Sequence, residues 1–449
     1  MDQELFKYRI SPRVVLANTK QKITVAGVDN LSRFHDDCEY RVTIVGMDGY
    51  TNQNIQVNGQ TRECEATVVL SPERGILTIE HYFPGEQMRH ITIERVDLDR
   101  HNQHIPPRHR QFDKRAISFV IYTLEKDLYY KRPFKGDMHI HTCGSDGFES
   151  GPFVAAQYRK FGYDFISITD HLNWDSSVQT IAALKDLKTA FKIFPGEEVH
   201  HPEGKELFHV VNFNGQHGIT KIIENDPEGT EAKIQKIAKN IDGSEEDRQL
   251  LAWYKWIFDE IHKAGGIAIY PHPLWLYPGL NRYHIKPSIS QAVYENGYCD
   301  VFEMFGGADP VNRKLHEMLY FDLCAKGIKY PFVASSDAHC SLEHNRIFFD
   351  QAWTIVFADK VENIPEHILK GYTAAIDNWK PEEKTVYASL RLAKYAYFLL
   401  DEYYEMHDAL CNAAGQAFLR YVSGDPSQNM LVEALENELK KFNTAFFGV

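Results

Sequence analysis

Over the first 130 residues apolar and polar positions alternate in short runs: Ile23 and Val25, Val42 and Ile44, Ile91 and Ile93, then Ile117, Phe119 and Ile121. A period of two sends successive side chains to opposite faces of an extended chain, so these runs predict half-buried strands. Asp48-Gly49, Asn58-Gly59 and Pro84-Gly85 punctuate them as turns, and residues 1–130 read as a small antiparallel, sandwich-like β domain. From Phe134 the pattern changes to short β-like runs followed by helix-like ones. Phe165–Ile168 precedes Thr169-Asp170, Lys192–Phe194 precedes Pro195-Gly196, and Ile267–Tyr270 precedes Pro271-His272. The segment 249–263 carries Leu250, Tyr254, Ile257 and Ile261 on one stripe and stops at Gly265-Gly266, which predicts a helix feeding a strand. Repeated over residues 131–360, this step predicts an α/β barrel, with a polar insertion on its rim at about 215–248. Residues 361–449 read as a helical C-terminal region. Its predicted buried stripe is Val386, Leu390, Ala393, Tyr397, Leu400 and Tyr404, and a turn at Ser423-Gly424-Asp425-Pro426 precedes a last helix ending near Lys441.

Composition narrows the class. With 449 residues, 43% of them apolar and 25% charged, the chain can bury a large core, and two or three compact units are expected. A formal net charge of -13 repels polyanions and counts against a dedicated nucleic-acid binder, though a locally basic pocket for a small phosphate is compatible with it. No apolar run has the length of a membrane span or signal peptide, so no membrane role is expected and the cytoplasm is the expected location. Seven cysteines with no CxxC pair fit reduced thiols better than a disulfide framework or zinc ribbon.

The strand-like segment Gly136-Asp137-Met138-His139-Ile140-His141 places His139 and His141 on the same side, within reach of one ion. Alone, an HxH pair is weak evidence. Further polar groups end the following β-like runs: Ser145-Asp146-Gly147, Thr169-Asp170-His171, Gly196-Glu197-Glu198, Phe208-His209-Val210, Tyr270-Pro271-His272-Pro273 and Ser335-Ser336-Asp337-Ala338-His339. In a barrel the C-terminal strand ends converge, so residues far apart in sequence can meet on one face. Imidazoles mixed with carboxylates suit Zn, Mn or Fe.

Taken together, the HxH, TDH, GxE, His-Pro and SDxH blocks, in this order over roughly residues 134–345, resemble the PHP (polymerase and histidinol phosphatase) family. The resemblance implies a distorted (β/α)7, TIM-like barrel holding three divalent ions and hydrolysing phosphate esters. It implies one ion between His139, His141, Glu198 and Asp337, a second between Glu198, His209 and His272, and a third at Asp146, His171 and His339. Glu198 is expected to bridge the first two. Paired ions would supply a bridging hydroxide as nucleophile, and the chemistry is assigned to Glu198, Asp337 and His339, with Asp337 or a neighbouring histidine carrying the proton. The expected substrate is a small phosphorylated metabolite or nucleotide.

Other readings stay open. An exonuclease or nucleotidase acting on nucleic-acid ends would use the same centre, an amidohydrolase would also begin from HxH, and a metal-stabilised binding protein would need no catalysis. Several residues have two readings each. His200 and His201 serve as site contacts or as surface histidines, Asp170 as an orienting partner or a cap, and Glu303 as a site carboxylate or an ordinary strand end. Cys143 and Cys340 read as small neighbours of the motifs rather than ligands. Arg282, Arg313 and Arg346 are candidate phosphate contacts with surface salt bridging as the default, and residues 101–115 read as a basic flap or a solvated loop.

Overall fold

The computed structural model describes residues 7–29, 32–49, 53–57, 60–96, 116–201, 208–277, 282–307, 310–342 and 349–448. The Asn58-Gly59 turn, Arg346 and the whole of residues 101–115 fall outside them. Two compact units result: one contains Met1–Lys131, Phe398–Glu405 and Glu438–Val449, the other Arg132–Tyr397 and Met406–Asn437.

The first unit carries strands β1 (Tyr8–Ser11), β2 (Val14–Leu16), β3 (Thr19–Gly27), β4 (Tyr40–Gly46), β5 (Gln53–Val57), β6 (Gln60–Cys64), β7 (Ala66–Leu70), β8 (Ile76–Phe83), β9 (Gln87–Arg95) and β10 (Ala116–Leu124). They form sheets ordered β1-β3-β8 and β2-β10-β9-β4-β7, plus the hairpin β5-β6. Both larger sheets feed one core. Ile23, Val25, Leu77 and Ile79 from the smaller sheet pack with Val42, Ile44, Ile91, Ile93, Phe119 and Ile121 from the larger. All of these except Leu77 and Ile79 are positions picked out by the alternation, since period two turns one apolar face of each strand inward.

The second unit carries β11 (Arg132–Ile140), β12 (Phe165–Ile168), β13 (Lys192–Phe194), β14 (Gly196–Val199), β15 (Val210–Phe213), β16 (Ile267–Tyr270), β17 (Leu276–Tyr277), β18 (Arg282–Tyr283), β19 (Val301–Phe305), β20 (Phe332–Ala334), β21 (Ala352–Ala358), β22 (Thr373–Asp377) and β23 (Thr385–Tyr387). The architecture is mixed α/β, but the ladders do not form one closed parallel barrel. They make two sheets, β13-β12-β11-β21-β22-β23 and β14-β15-β16-β19-β20. β11 is parallel to β12 and β12 to β13, and β16 to β19, whereas β15 runs antiparallel to both its neighbours, β14 and β16. The short link from Val199 to Val210 explains the reversal between β14 and β15, because parallel neighbours require a crossover of roughly a dozen residues or more. Single bridges, Ile140 with Ala338 and His171 with Glu198, join the two sheets.

The helix expected at 249–263 runs from Glu245 to Lys263, with Leu250, Tyr254, Ile257 and Ile261 buried. The Ser244 side chain accepts from Asp247 N–H, and Glu245, Glu246 and Asp247 occupy the positive end of the helix dipole. Its entry point lies inside the expected rim insertion. There, helices Ile219–Asn225 and Pro227–Ala238 bury Ile219, Ile223 and Ile234 in the same core, so the insertion is packed structure and more than surface decoration.

Two expectations for the C-terminal region need correction. Residues 373–377 and 385–387 are strands of the six-stranded sheet, so the chain after Lys360 is not helical throughout. Ala374, Ala375 and Ile376 are buried on both faces, and such a strand shows no alternation to read. The helix of Leu390–Glu402 is also turned relative to the expected stripe. Leu390 is 80% and Tyr397 43% exposed, Val386 belongs to β23, and the buried set is Leu392, Tyr395, Ala396 and Leu399. Both sets satisfy a helical period in this apolar-rich segment, and packing of Tyr395 on Phe357 at 5.4 Å goes with the observed phase.

Candidate metal centre

His139 lies on the last turn of pleat in β11 and His141 just beyond it, so both imidazoles leave the strand on one side. His171 follows β12, Glu198 lies in β14, His209 precedes β15, His272 follows β16, and Asp337 and His339 follow β20. Two of these residues, His272 (φ 33°) and Asp337 (φ 56°), have positive φ, a conformation that costs a non-glycine residue energy and so needs surrounding support. Support is visible for both: Glu303 Oε2 accepts the His272 N–H at 2.7 Å, and Asp337 N–H donates to the His139 carbonyl at 3.0 Å. Gly147, beside Asp146, allows the loop to close on the strand end, since a Cβ there would fall 2.6 Å from the His141 backbone.

Glu198, fully buried, is the hub. Its Oε2 lies 2.8 Å from His171 Nδ1, 3.2 Å from His139 Nε2, 3.3 Å from His141 Nε2 and 3.7 Å from His200 Nε2. Its Oε1 lies 2.7 Å from His209 Nδ1 and 3.5 Å from His272 Nε2. Asp337 Oδ1 is 3.0 Å from His141 Nε2 and 3.3 Å from His139 Nε2. At the more open side Asp146 faces His141 Nδ1 at 3.7 Å, His171 Nε2 at 3.6 Å and His339 Nε2 at 3.3 Å. All nine residues singled out by the motifs are thereby brought together.

Direction matters as much as distance. Both Glu198 oxygens, His171 Nδ1, His200 Nε2 and His209 Nδ1 are buried and lack a hydrogen-bond partner of acceptable direction. Unpaired buried polar atoms are costly and rare. A divalent ion fits this donor set, because it accepts lone pairs that converge on a point between the groups instead of on one another. Three of the close-packed groups are His141, Asp146, His171 and His339; His139, His272 and Asp337; and His139, His141 and Glu198.

The electrostatics follow from burial and the carboxylates. Burial works to lower His141, but Asp337 and Glu198 outweigh it and lift the imidazole to about 9. For His171 burial is again overcome, by Glu198 and Asp146, giving about 11. His209 goes the other way: burial takes it to about 3 despite Glu198. Glu198 itself is held well below the usual carboxylate range, since His209, His139 and His171 outweigh its burial. Without ions, the centre therefore balances its carboxylates with protons on selected imidazoles.

Supporting residues surround this cluster. Asp137, fully buried, accepts from His139 N–H at 3.2 Å, Ser336 N–H at 3.0 Å and Tyr158 Oη–H at 3.1 Å, tying β11 to the Asp337 loop. Asp170 accepts from Thr142 N–H at 2.6 Å and Ser145 Oγ–H at 2.9 Å, so it shapes the loop bearing Asp146. Glu303 is no ordinary strand end: burial raises its carboxyl to about 8. Cys143 is exposed, and Cys340 donates to Glu149 at 3.2 Å.

PHP-like metal-dependent phosphoesterases are among the solved structures this chain resembles. A two-domain protein from Bacteroides vulgatus containing such a module shares 17% identity at a TM-score of 0.38, over 55% of this chain and 66% of that one, just under two thirds of its length. A candidate metal-dependent phosphoesterase from Bifidobacterium adolescentis shares 16% identity at a TM-score of 0.35, over 53% of this chain and 96% of that one. An amidohydrolase from Chromobacterium violaceum with bound sulfate shares 14% identity at 0.33, over 55% and 99%. No protein-family model and no curated protein matches the chain.

Other sequence candidates sort differently. Arg313 is buried, paired with Asp377 and set over Trp379, so it is committed inside the fold. Arg282 is exposed on β18. His284 escaped the motif reading: the β17-β18 hairpin brings its ring 5.2 Å from His209 and 4.7 Å from Trp275. No local pattern marks it. A separate group, Asp164, His407 and Cys411, also has ligand types in proximity. Arg159 already pairs with Asp164 at 3.2 Å and Lys135 lies 3.7 Å from Asp408, so cationic side chains balance these acids. Among the described residues no helix is long and apolar enough to cross a membrane.

Proposed function

We propose that this protein is a metal-dependent hydrolase of small phosphate esters. The observation that carries the reading is Glu198, a buried carboxylate ringed by imidazoles whose nitrogens point toward shared space. His139, His141, Glu198 and Asp337 would hold one divalent ion, Glu198, His209 and His272 a second, and Asp146, His171 and His339 a third. Such ions supply Lewis acidity toward a phosphoryl oxygen and acidify water. Zn, Mn and Fe all match the donors, and the two sheets joined at the site would act as the distorted barrel.

The side chains divide the remaining work. Glu198 fixes the spacing of the centre. Asp146 and His339 lie on its open side, with side chains 56% and 32% exposed, so substrate approaches from there. His339 Nδ1 faces the Asp337 carbonyl at 2.8 Å, which turns Nε2 outward toward Asp146 for the third ion, and Asp337, whose carboxylate has a second oxygen, would carry the proton.

The test begins with elemental analysis of protein purified without chelators, followed by assays on an aryl phosphate and a panel of phosphorylated metabolites. H139A and D337A should each lower turnover by at least about 1000-fold, in keeping with loss of an essential metal ligand, while circular dichroism stays native. Undiminished turnover in both would overturn the proposal. Cleavage of amides but not phosphates by the metal-loaded protein would redirect it to an amidohydrolase.

A further inference from the structure

Beyond the nine motif residues, we infer that His200 is a tenth member of the metal centre and a direct ligand of an ion shared with Glu198. The inference rests on the metal-dependent reading above. His200 follows β14, two residues after Glu198, so strand parity brings both side chains to the same side. Its Nε2 lies 3.7 Å from Glu198 Oε2, is buried and has no hydrogen-bond partner. Its ring stacks on His209 at 4.0 Å with a 23° interplanar angle and meets His171 edge-on at 4.2 Å. His171, Glu198 and His200 have ligand atoms within 4.8 Å of one another. Neighbouring His201 instead packs its ring 4.8 Å from Trp253.

The chemistry of imidazole gives His200 its place. A neutral imidazole has one lone pair, on the nitrogen without hydrogen. His171 presents Nε2 toward Asp146 at 3.6 Å and Nδ1 toward Glu198 at 2.8 Å. It can therefore serve the ion at Asp146 and His339, or the one at Glu198, but not both while neutral. When His171 turns its lone pair toward Asp146, the Glu198 side lacks an imidazole at that vertex. His200 Nε2 fills it, so both positions keep a nitrogen donor.

Titration of the metal-free protein with Co2+, followed by visible absorption and by elemental analysis after dialysis, tests this assignment. H200A and H200F are compared with H201A and the unaltered chain; H200F keeps a ring against His209 while removing the nitrogens. Circular dichroism without metal checks that each variant is folded. The expected result is that H200A and H200F each bind the ion with at least about 10-fold lower affinity, or retain about one equivalent less, because a donor has been removed, while H201A matches the unaltered chain. Isotherms and spectra of H200F that superpose on those of the unaltered chain would overturn the role of His200. An unaltered chain that takes up no ion would overturn the metal reading itself, a result distinct from the first.

Discussion

Glu198 has no exposed surface and faces six imidazoles, so its charge is inseparable from its surroundings. Replacing it with glutamine keeps the shape and removes the charge that holds His141 and His171 high. E198Q should therefore lose at least one equivalent of bound metal in elemental analysis, with metal-dependent hydrolysis falling in parallel; unchanged metal content would show that the hub is misassigned. Glu303 calls for a different outcome. Its Oε2 accepts the N–H of the strained His272, and a glutamine carbonyl can do the same, whereas alanine leaves that buried N–H unpaired. E303A is expected to cost about 1–3 kcal/mol in urea unfolding and E303Q well under half of that.

At the scale of elements, the centre depends on staples between segments distant in sequence. Asp137 joins β11 to the loop after β20 through His139 and Ser336, and Tyr158 donates to its other oxygen. D137A should loosen the spacing of His139 and Asp337, weakening metal affinity at least about 10-fold in calorimetric titration, as partners that orient ligands commonly do. Unchanged affinity would make Asp137 a purely local brace. A second staple is Arg159, fully buried, whose guanidinium meets Glu436 at 2.6 and 3.0 Å and Asp164 at 3.2 Å. R159A leaves those carboxylates uncompensated, and about 3–5 kcal/mol of stability should be lost in chemical denaturation. The pattern of apolar positions identified helices and strands here, but these staples lie between elements and leave no periodic trace.

For the whole molecule, pH acts on the metal-free form in a definite direction. Burial lifts Asp137 to about 7 and Glu303 to about 8, so above the ordinary carboxylate range the folded chain keeps protons that the unfolded chain has lost. His141, lifted to about 9, likewise holds its proton above the ordinary imidazole value of 6.5. His139 and His209 are shifted downward and are neutral in both states above that value. More protons bound in the folded state mean stability that falls as pH rises, so the thermal midpoint without metal should drop between pH 6.5 and 8. Saturating divalent ion should raise the midpoint, and more so at the higher pH, because ions compete with protons for the imidazoles. Differential scanning calorimetry at both pH values, with and without metal, decides it; a metal-free midpoint that rises across this interval would contradict the assignment.

The same molecule separates what a linear pattern can encode from what it cannot. Alternation marked Ile23, Val42, Ile91 and Phe119 as inward-facing positions because burial of a strand face repeats every two residues. Motif order placed His139, Glu198 and Asp337 in one group because each closes a strand-like run, and strand ends can meet. Tertiary structure alone chose between equal local alternatives. It turned His200 toward Glu198 and His201 toward Trp253, committed Arg313 to Asp377, and brought His284 beside His209. It also ran β15 antiparallel between β14 and β16 and set the phase of the Leu390–Glu402 helix. Periodicity records how a segment meets solvent; which polar atoms share a buried space depends on contacts closed between separate elements, where packing and charge balance make the choice.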